Sequence, residues 1–376
     1  MKNILNTIHS EFKLVKSWNL TYKKKSIIYY PKNEKELKYI LYFLKKNKKT
    51  FSIKTGLCSY DGKSISLEKS NIIISLKNFN KLININKKNQ IIRVQAGAKI
   101  FDILLQLKKN NLTMYSVPGG ENITVGGAIS ANVIGKDSSK SFSAFGDSVK
   151  NLKIMTHNGS IKKLKFNSRD HKLFIGSFGF FGIILDVELK IRKIPSQNLF
   201  LLSSKIKKFS DIERFLNKNY DYKYIVIDPF FRENCLGIFF YANFIKNSKN
   251  FFKKKNFKIY LMDKFLFKFS SFFINRLTWK IFYKLFVAFK KKNHLIDLHN
   301  FHYESKYKHL IPHLTRGGLL DYEILIKKDL TKTIIKIKKL FSSNNIFPIY
   351  IIIKKLYKSK KKYFYIFNKN GYSMAI

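Results

Sequence analysis

The chain has 376 residues, 73 of them Lys or Arg against 23 Asp or Glu, for a formal net charge of +50. With 45% hydrophobic residues, 16% aromatics and only 6 prolines, it has enough apolar surface to fold, which excludes a disordered chain. Two cysteines, Cys58 and Cys235, exclude a disulfide scaffold and a four-thiolate metal site.

The excess charge is mostly Lys, spread among many Ile, Asn, Phe and Tyr. All of these have A/T-rich codons, so base composition accounts for much of it. Charge alone therefore identifies neither a nucleic acid nor a membrane as partner. Met1 to Lys16 has no apolar run and no small-residue cleavage site, so no signal peptide is expected. No window reaches the ~18 uninterrupted apolar residues that a spanning helix needs. The longest candidate, Phe265 to Phe289, is broken by Lys268, Asn275, Arg276, Lys280 and Lys284. The expected location is the cytoplasm, with contact to the cytoplasmic face of a membrane left open.

In chain order, Ile27 to Tyr30 reads as a strand. Asn33 and Glu36 form a capping-box pair for a helix whose Leu37, Ile40, Leu41 and Leu44 share one face. Strands follow at Phe51 to Ile53, Asn71 to Leu76 and Gln90 to Val94. A helix from about Lys99 to Lys109 places Ile100, Ile103, Leu104 and Leu107 together. Later strands are expected at Val149 to Thr156, ending in a turn at His157 to Ser160, and at Ile183 to Ile191. Beyond Pro195 the pattern gives strands at Tyr224 to Asp228, Gly237 to Tyr241, Leu319 to Ile326 and Ile346 to Ile353, with a helix near Thr331 to Phe341. The expected division falls near Pro195 to Leu199, giving domains 1–195 and 196–376.

Pro118 to Gly135 stands apart: glycine-dense and free of Lys in a chain otherwise full of it. Paired glycines let backbone N–H groups approach a pyrophosphate, and the small residues after them let a flat ligand lie against the chain. The alternative is a glycine-rich turn between core elements. The pattern is neither a Walker A loop nor a dinucleotide fingerprint of the G-x-G-x-x-G kind.

Pro118-Gly119-Gly120-Glu121-Asn122-Ile123-Thr124-Val125-Gly126-Gly127-Ala128-Ile129, then Gly135-Lys136, resembles the P-G-x-x-x-x-T-V-G-G-A-I and H-G-K motifs of the vanillyl-alcohol-oxidase type of FAD-linked oxidases. Within that family the similarity is greatest to the oxidase components of decaprenylphosphoryl-ribose 2′-epimerases. Ser143 to Val149, Asn158-Gly159 and Gly176 to Ile184 resemble further family segments at compatible spacing. Fainter similarity continues through Ile274 to Thr278, Gly318 to Glu323, Lys355 and Gly371-Tyr372.

The resemblance implies an α+β protein: a two-subdomain PCMH-type FAD-binding domain followed by an α/β substrate, or cap, domain. It implies non-covalent FAD lined by Gly56, Ser59, Tyr60, Gly119, Thr124, Val125, Gly126, Gly127, Ala131, Asn132, Val133, Ile134 and Ile184, with Tyr322 near the ring system. Lys136, Lys355 and Glu323 are the implied catalytic residues, the two lysines facing a phosphate-bearing substrate. The implied reaction oxidises a sugar hydroxyl to a ketone on a lipid-linked or phosphorylated glycoside, with a short-chain reductase as partner. Two alternatives stay open: an alditol or aldonolactone oxidase of the same fold, and a flavin-free scaffold or basic surface-binding protein that kept the fold.

The chain departs from the family pattern at several points. The first flavin loop, R-G-x-G-x-S-Y-G-D in the family, reads Lys54-Thr55-Gly56-Leu57-Cys58-Ser59-Tyr60-Asp61-Gly62 here. Ile134 replaces a histidine, Glu323 a glutamine, and Ala375 a cysteine found in some members. The family continues past the segment at Gly371-Tyr372, so either a truncated sequence or a fold that closes without that return is expected. Phe251 to His294 interleaves Lys with large apolar residues. Its Phe265, Phe269, Phe272, Phe273, Leu277 and Ile281 suggest an amphipathic helix suited to anionic headgroups or, alternatively, to a cap-domain core. The basic run Lys358 to Lys362 reads as a solvated loop, and no nucleic-acid partner is expected. His294, His299 and His302 have no common metal-site spacing, so no metal is expected.

Overall fold

The computed structural model describes residues 7–59, 65, 71–232, 235–246, 269–289, 293–303, 308–315, 318–365, 367 and 369–376. The first sheet contains β1 (Ser10–Lys16), β2 (Lys23–Tyr29), β3 (Ser52–Lys54) and β4 (Ile72–Ser75), in the order β1-β2-β4-β3. β1 runs antiparallel to β2, and the remaining pairs are parallel. Between β2 and β3 lies α1 (Glu34–Lys46). Asn33 caps it by accepting from Glu36 N at 2.9 Å, while Glu36 Oε2 accepts from Lys32 N at 2.8 Å. Leu37, Ile40, Leu41 and Leu44 are buried, as their spacing predicts. Each contributes roughly 1.5–3 kcal/mol of apolar burial. β1 escaped prediction because it is an edge strand whose Phe12 and Leu14 point outward, 62% and 48% exposed.

The second sheet is antiparallel: β5 (Leu82–Asn86), β6 (Ile91–Gln95), β8 (Val149–Met155), β9 (Ile161–Leu164) and β10 (Ile183–Lys193), in the order β5-β6-β10-β8-β9. β7 (Leu112–Met114) adds to the far end of β10. The helices α2 (Ile100–Lys108), α3 (Val125–Ser130) and α4 (Arg169–Phe174) accompany it. The two sheets share one apolar core that includes Leu41, Ile74, Ile100, Leu107, Ile129, Phe145 and Leu189.

Among the described residues, the third sheet takes every strand from residue 198 onward and is antiparallel throughout. Its members are β11 (Asn198–Ile206), β12 (Tyr222–Ile227), β13 (Gly237–Phe244), β14 (Asn293–Asp297), β15 (Glu323–Ile326), β16 (Ile351–Leu356) and β17 (Gly371–Ala375). Their order is β14-β11-β13-β12-β16-β17-β15. One face (Ile225, Ile227, Phe239, Ile353, Tyr372, Met374) packs beneath α5 (Phe209–Asn217) and α8 (Leu330–Ser343). The other face (Tyr222, Tyr224, Phe240, Ile352) meets α7 (Leu298–His302) and Val287 of α6 (Arg276–Phe289).

Two predicted strands move. The first begins only at Glu323, because Gly318 (φ +82°) and Leu319 are drawn to the β1–β2 turn, where Leu319 N donates to Asn19 O at 3.0 Å. The second begins at Ile351 rather than Ile346: Asn345 is left-handed (φ +53°), and Pro348 cannot donate to a ladder.

The third sheet is fastened to the other two at several points. Lys108 Nζ reaches Asp297 Oδ2 at 2.6 Å, and Phe101 O contacts His299 Nε2 at 3.3 Å. Segment 359–365 returns to the turn at Phe145–Ser148. Ser359 Oγ and Tyr363 Oη donate to Asp147 Oδ1 at 2.6 and 3.0 Å.

Candidate functional site

The loop after β3 and the glycine-rich window meet at two points. Gly56 lies so close to Asn122 that an added Cβ would stand 1.8 Å from its carbonyl oxygen. Two residues on from Asn122, Thr124 caps α3 and its hydroxyl donates to Thr55 Oγ1 at 2.6 Å. A cavity of about 590 Å³ opens beside this junction, lined in part by Thr55, Gly56, Lys77, Gly97, Lys99 and Thr124. That volume is within the range of small-molecule sites.

Across α3 the window is two-faced. Val125, Gly126, Ala128 and Ile129 are buried. Val125 N donates to Ala98 O at 3.0 Å and Gly126 N to Ala96 O at 2.7 Å. Gly126 therefore does not offer its N–H to a phosphate. It lets α3 pack on the β6–α2 connection, where a Cβ would come within 2.9 Å of Ala96 Cβ. Gly127, Ser130 and the C-cap Ala131 are half-buried and fall at helical spacing, a stripe of small side chains on the opposite side; Ile134, also half-buried, lies beyond the helix end. Val133 and Gly119 are also half-buried, while Ile184 is buried in β10. Ser59 O accepts from Trp18 N at 3.1 Å; Tyr60 lies outside the described residues.

Asn132 departs from its implied role of lining a ligand. It is buried in a left-handed conformation (φ +45°), with Oδ1 accepting from Gly146 N at 3.0 Å and Nδ2 donating to Tyr365 O at 3.2 Å. It joins three segments, and both ends of its amide are spent on that junction.

A flat stripe of small residues, two threonine hydroxyls at a glycine-tight loop crossing and nearby lysines suit a flat ring system joined to a diphosphate. Residues 26–165 match the family described as FAD binding domain. This segment is an FAD-binding domain. Its cofactor is FAD, as the resemblance of Pro118 to Ile129 implies. Decaprenylphosphoryl-β-D-ribose oxidase of Mycolicibacterium smegmatis is 26% identical over 135 residues, which is 35% of this chain and 29% of that protein. The chain thus matches under a third of that relative's length. Cholesterol oxidase from B. sterolicum superposes with a TM-score of 0.74 at 11% identity, covering 98% of this chain and 80% of the other. A histidine-to-alanine variant of the Brevibacterium sterolicum enzyme gives 0.70 at 11% identity, covering 96% and 75%. These two show a shared α+β fold.

Lys136, just after the glycine window, reaches from the FAD-binding domain to the third sheet. Its Nζ donates to Phe301 O at 3.1 Å and lies 4.8 Å from the Phe301 ring centroid and 5.0 Å from that of Tyr224. Tyr224 belongs to β12, which pairs Val226 with Ile352 of β16. Continuing that register sets Lys354 opposite Tyr224. Lys354 pairs with Ser373, whose hydroxyl donates to Glu323 Oε1, and Lys354 Nζ is 3.4 Å from the same oxygen. A polar row, Lys136–Tyr224–Lys354–Ser373–Glu323, thus crosses the sheet face that looks toward the FAD-binding domain.

Two sequence assignments are corrected by this register. Lys355 follows Ile353 onto the opposite face, where it donates to Asn217 of α5 and lies over Tyr357. Tyr322 alternates away from Glu323 and is 62% exposed. Alternation along a strand makes Lys354, not Lys355, the lysine on the inner face. Lys354 was missed because a linear match does not fix which residue of a Lys-Lys pair points inward.

Behind Lys136 the site is buried and polar. Asp137 accepts from Val117 N at 2.9 Å and lies 3.7 Å from Arg192, which donates to Tyr222 Oη at 3.3 Å. Burial raises the Asp137 carboxyl, opposed by Arg192, and raises the Tyr222 phenol. His302, 2% exposed and with neither ring nitrogen hydrogen-bonded among the described residues, is held well below the usual histidine range by burial and then by Lys136.

Proposed function

We propose that this chain is an FAD-dependent oxidoreductase that oxidises a sugar hydroxyl to a ketone on a phosphate-bearing or lipid-linked glycoside. The observation that carries the reading is the polar row facing the FAD-binding domain. Two lysines, Lys136 and Lys354, supply fixed positive charge for a substrate phosphate, and Glu323 supplies a carboxylate that can accept the hydroxyl proton. Bound FAD supplies the two-electron acceptor. Gly127, Ala131 and Ile134 would support its flat ring system, with Thr55, Gly56 and Thr124 toward the diphosphate. Ser373 holds Glu323 on the inner face. A short-chain reductase acting on the ketone is the corresponding partner.

The purified protein should be yellow, with flavin bands near ~380 and ~450 nm, the signature of a bound redox cofactor. A colourless protein that takes up no added FAD sinks the reading. Under anaerobic conditions polyprenyl-phosphoribose should bleach the flavin. Bleaching by free alditols alone would replace the phosphate-bearing substrate with an alditol.

A further inference from the structure

Helix α6 is packed the wrong way round for a water-facing helix. Its apolar contact with the body of the protein is one i, i+4 stripe of Trp279, Tyr283 and Val287, beside which Arg276 donates to Asn345. Trp279 Nε1 donates to Ile349 O at 3.1 Å and Tyr283 Oη to Ile227 O at 2.9 Å. At about 100° per residue, Ile281 and Leu285 fall roughly 160° from Tyr283, directly away from the sheet. A helix whose outward side meets water carries polar groups there. Here the outward positions Leu277, Ile281 and Leu285 are 67%, 51% and 49% exposed, and Phe282 beside them 51%. Immediately before the helix, Phe269, Phe272 and Phe273 are 51%, 61% and 58% exposed. A run of large exposed apolar side chains is far more than the scattered exceptions of an ordinary surface.

The sequence of this segment carries charge of one sign. From Lys264 to Ile296 the sequence has seven Lys, one Arg and no Asp or Glu. Lys280 and Lys284 lie exposed along one flank of α6, roughly 60° to 100° round from Tyr283 by the same helical geometry, while Arg276, nearer the inward side, donates to Asn345. An outward apolar crest beside a cationic flank matches an anionic bilayer: side chains enter the acyl boundary while ammonium groups meet headgroup phosphates.

We infer that α6 and the preceding Phe269–Phe273 segment form a docking surface for anionic membrane, independent of the chemistry proposed for the site. The surface lies on the same sheet face as Tyr224 and Phe301, so it also suits delivery of a lipid-linked substrate from the bilayer.

The test is co-sedimentation of the full-length protein with vesicles of phosphatidylcholine alone or with 30% phosphatidylglycerol (about one anionic lipid in three, enough to set a strong surface potential). The wild type should bind the anionic vesicles at least tenfold more tightly. Ile281→Glu with Leu285→Glu, both at exposed positions, should lower that binding at least tenfold with an unchanged circular dichroism spectrum. Lys280→Gln with Lys284→Gln should weaken binding and reduce its salt dependence. Equal binding of the double-glutamate variant overturns the inference. So does a stable dimer in sedimentation velocity that these substitutions dissociate, which would assign the crest to a second copy. If the double-glutamate variant loses structure, Phe272→Ser, in the segment before the helix, replaces it under the same criterion.

Discussion

Glu323 Oε1 lies 3.4 Å from the ammonium of Lys354, while the adjacent Lys355 points through the sheet to Asn217. Neighbouring residues of one strand therefore serve different compartments. Lys354 shares its face with Ser373, Tyr224 and Lys136; Lys355 shares its own with Tyr372 and the base of α5.

If that face binds substrate, Lys354→Met should reduce the rate of flavin reduction by phosphorylated glycoside at least tenfold (about 1.4 kcal/mol or more of lost stabilisation) and leave the flavin spectrum intact. Lys355→Met should remain within about twofold of wild type, because its ammonium is spent on Asn217 and the Tyr357 ring on the opposite face. Stopped-flow reduction of both variants decides the matter; the reverse ranking would restore Lys355 to the site.

Asp147 is the fastening between segment 359–365 and the FAD-binding domain. Oδ2 accepts from Ser143 N, Ser143 Oγ and Ala144 N at 2.8, 2.7 and 3.2 Å, and Oδ1 accepts from Ser359 and Tyr363. Bonds to a buried carboxylate contribute about 1.5–3 kcal/mol each, and orphaned donors add their desolvation cost. Asp147→Ala should therefore lower unfolding free energy by about 3 kcal/mol or more in urea titration. Limited proteolysis should then cut first within 359–365.

How much of this was legible in the sequence depends on what each residue does. Leu37, Ile40, Leu41 and Leu44 repeat at helical spacing and are all buried, so α1 was readable from periodicity alone. Gly127 and Ala131 stood out as small residues in a Lys-rich chain, and the structure leaves both half-buried at α3. Lys354 was not, since a one-residue slip in register exchanges the faces of a strand. β5, with Leu82 and Ile83 exposed, shows no inward alternation to detect. The fastening role of Asp147 could not be read from sequence, because its partners Ser359 and Tyr363 lie more than two hundred residues away.

Three buried histidines should make the fold acid-sensitive. Burial lowers His171 and His299 to about 4 and holds His302 well below its ordinary value. The unfolded chain, with histidines near 6.5, then binds more protons than the native one between pH ~6.5 and ~4. Their contribution is fully present above pH ~6.5 and is lost as pH falls through that window, on the order of 3 kcal/mol for His171 alone. Unfolding free energies measured from pH 7.5 to 4.5 should fall steeply, and His171→Leu should flatten the slope by about one proton. An unchanged slope would mean that His171 is already protonated in the native state.

Lys54 stands where the resembled family has arginine, and it is 8% exposed at the mouth of the first flavin loop. Burial lowers its ammonium to about 8, with Lys13 adding repulsion. The native state thus binds fewer protons than the unfolded state between pH ~8 and ~10.5. The burial penalty is at its full value below pH ~8 and is relieved as pH rises through that interval. In the absence of FAD, Lys54→Met should raise the unfolding free energy at pH 7, by up to about 3 kcal/mol, and the gain should vanish above pH ~10.5. If the cation held at this cost beside Thr55 and Gly56 serves the FAD diphosphate, the same variant should bind FAD more weakly. Denaturant titration with and without added FAD separates the two effects. A variant that is more stable and binds FAD as tightly as wild type would show that Lys54 has no part in holding the cofactor.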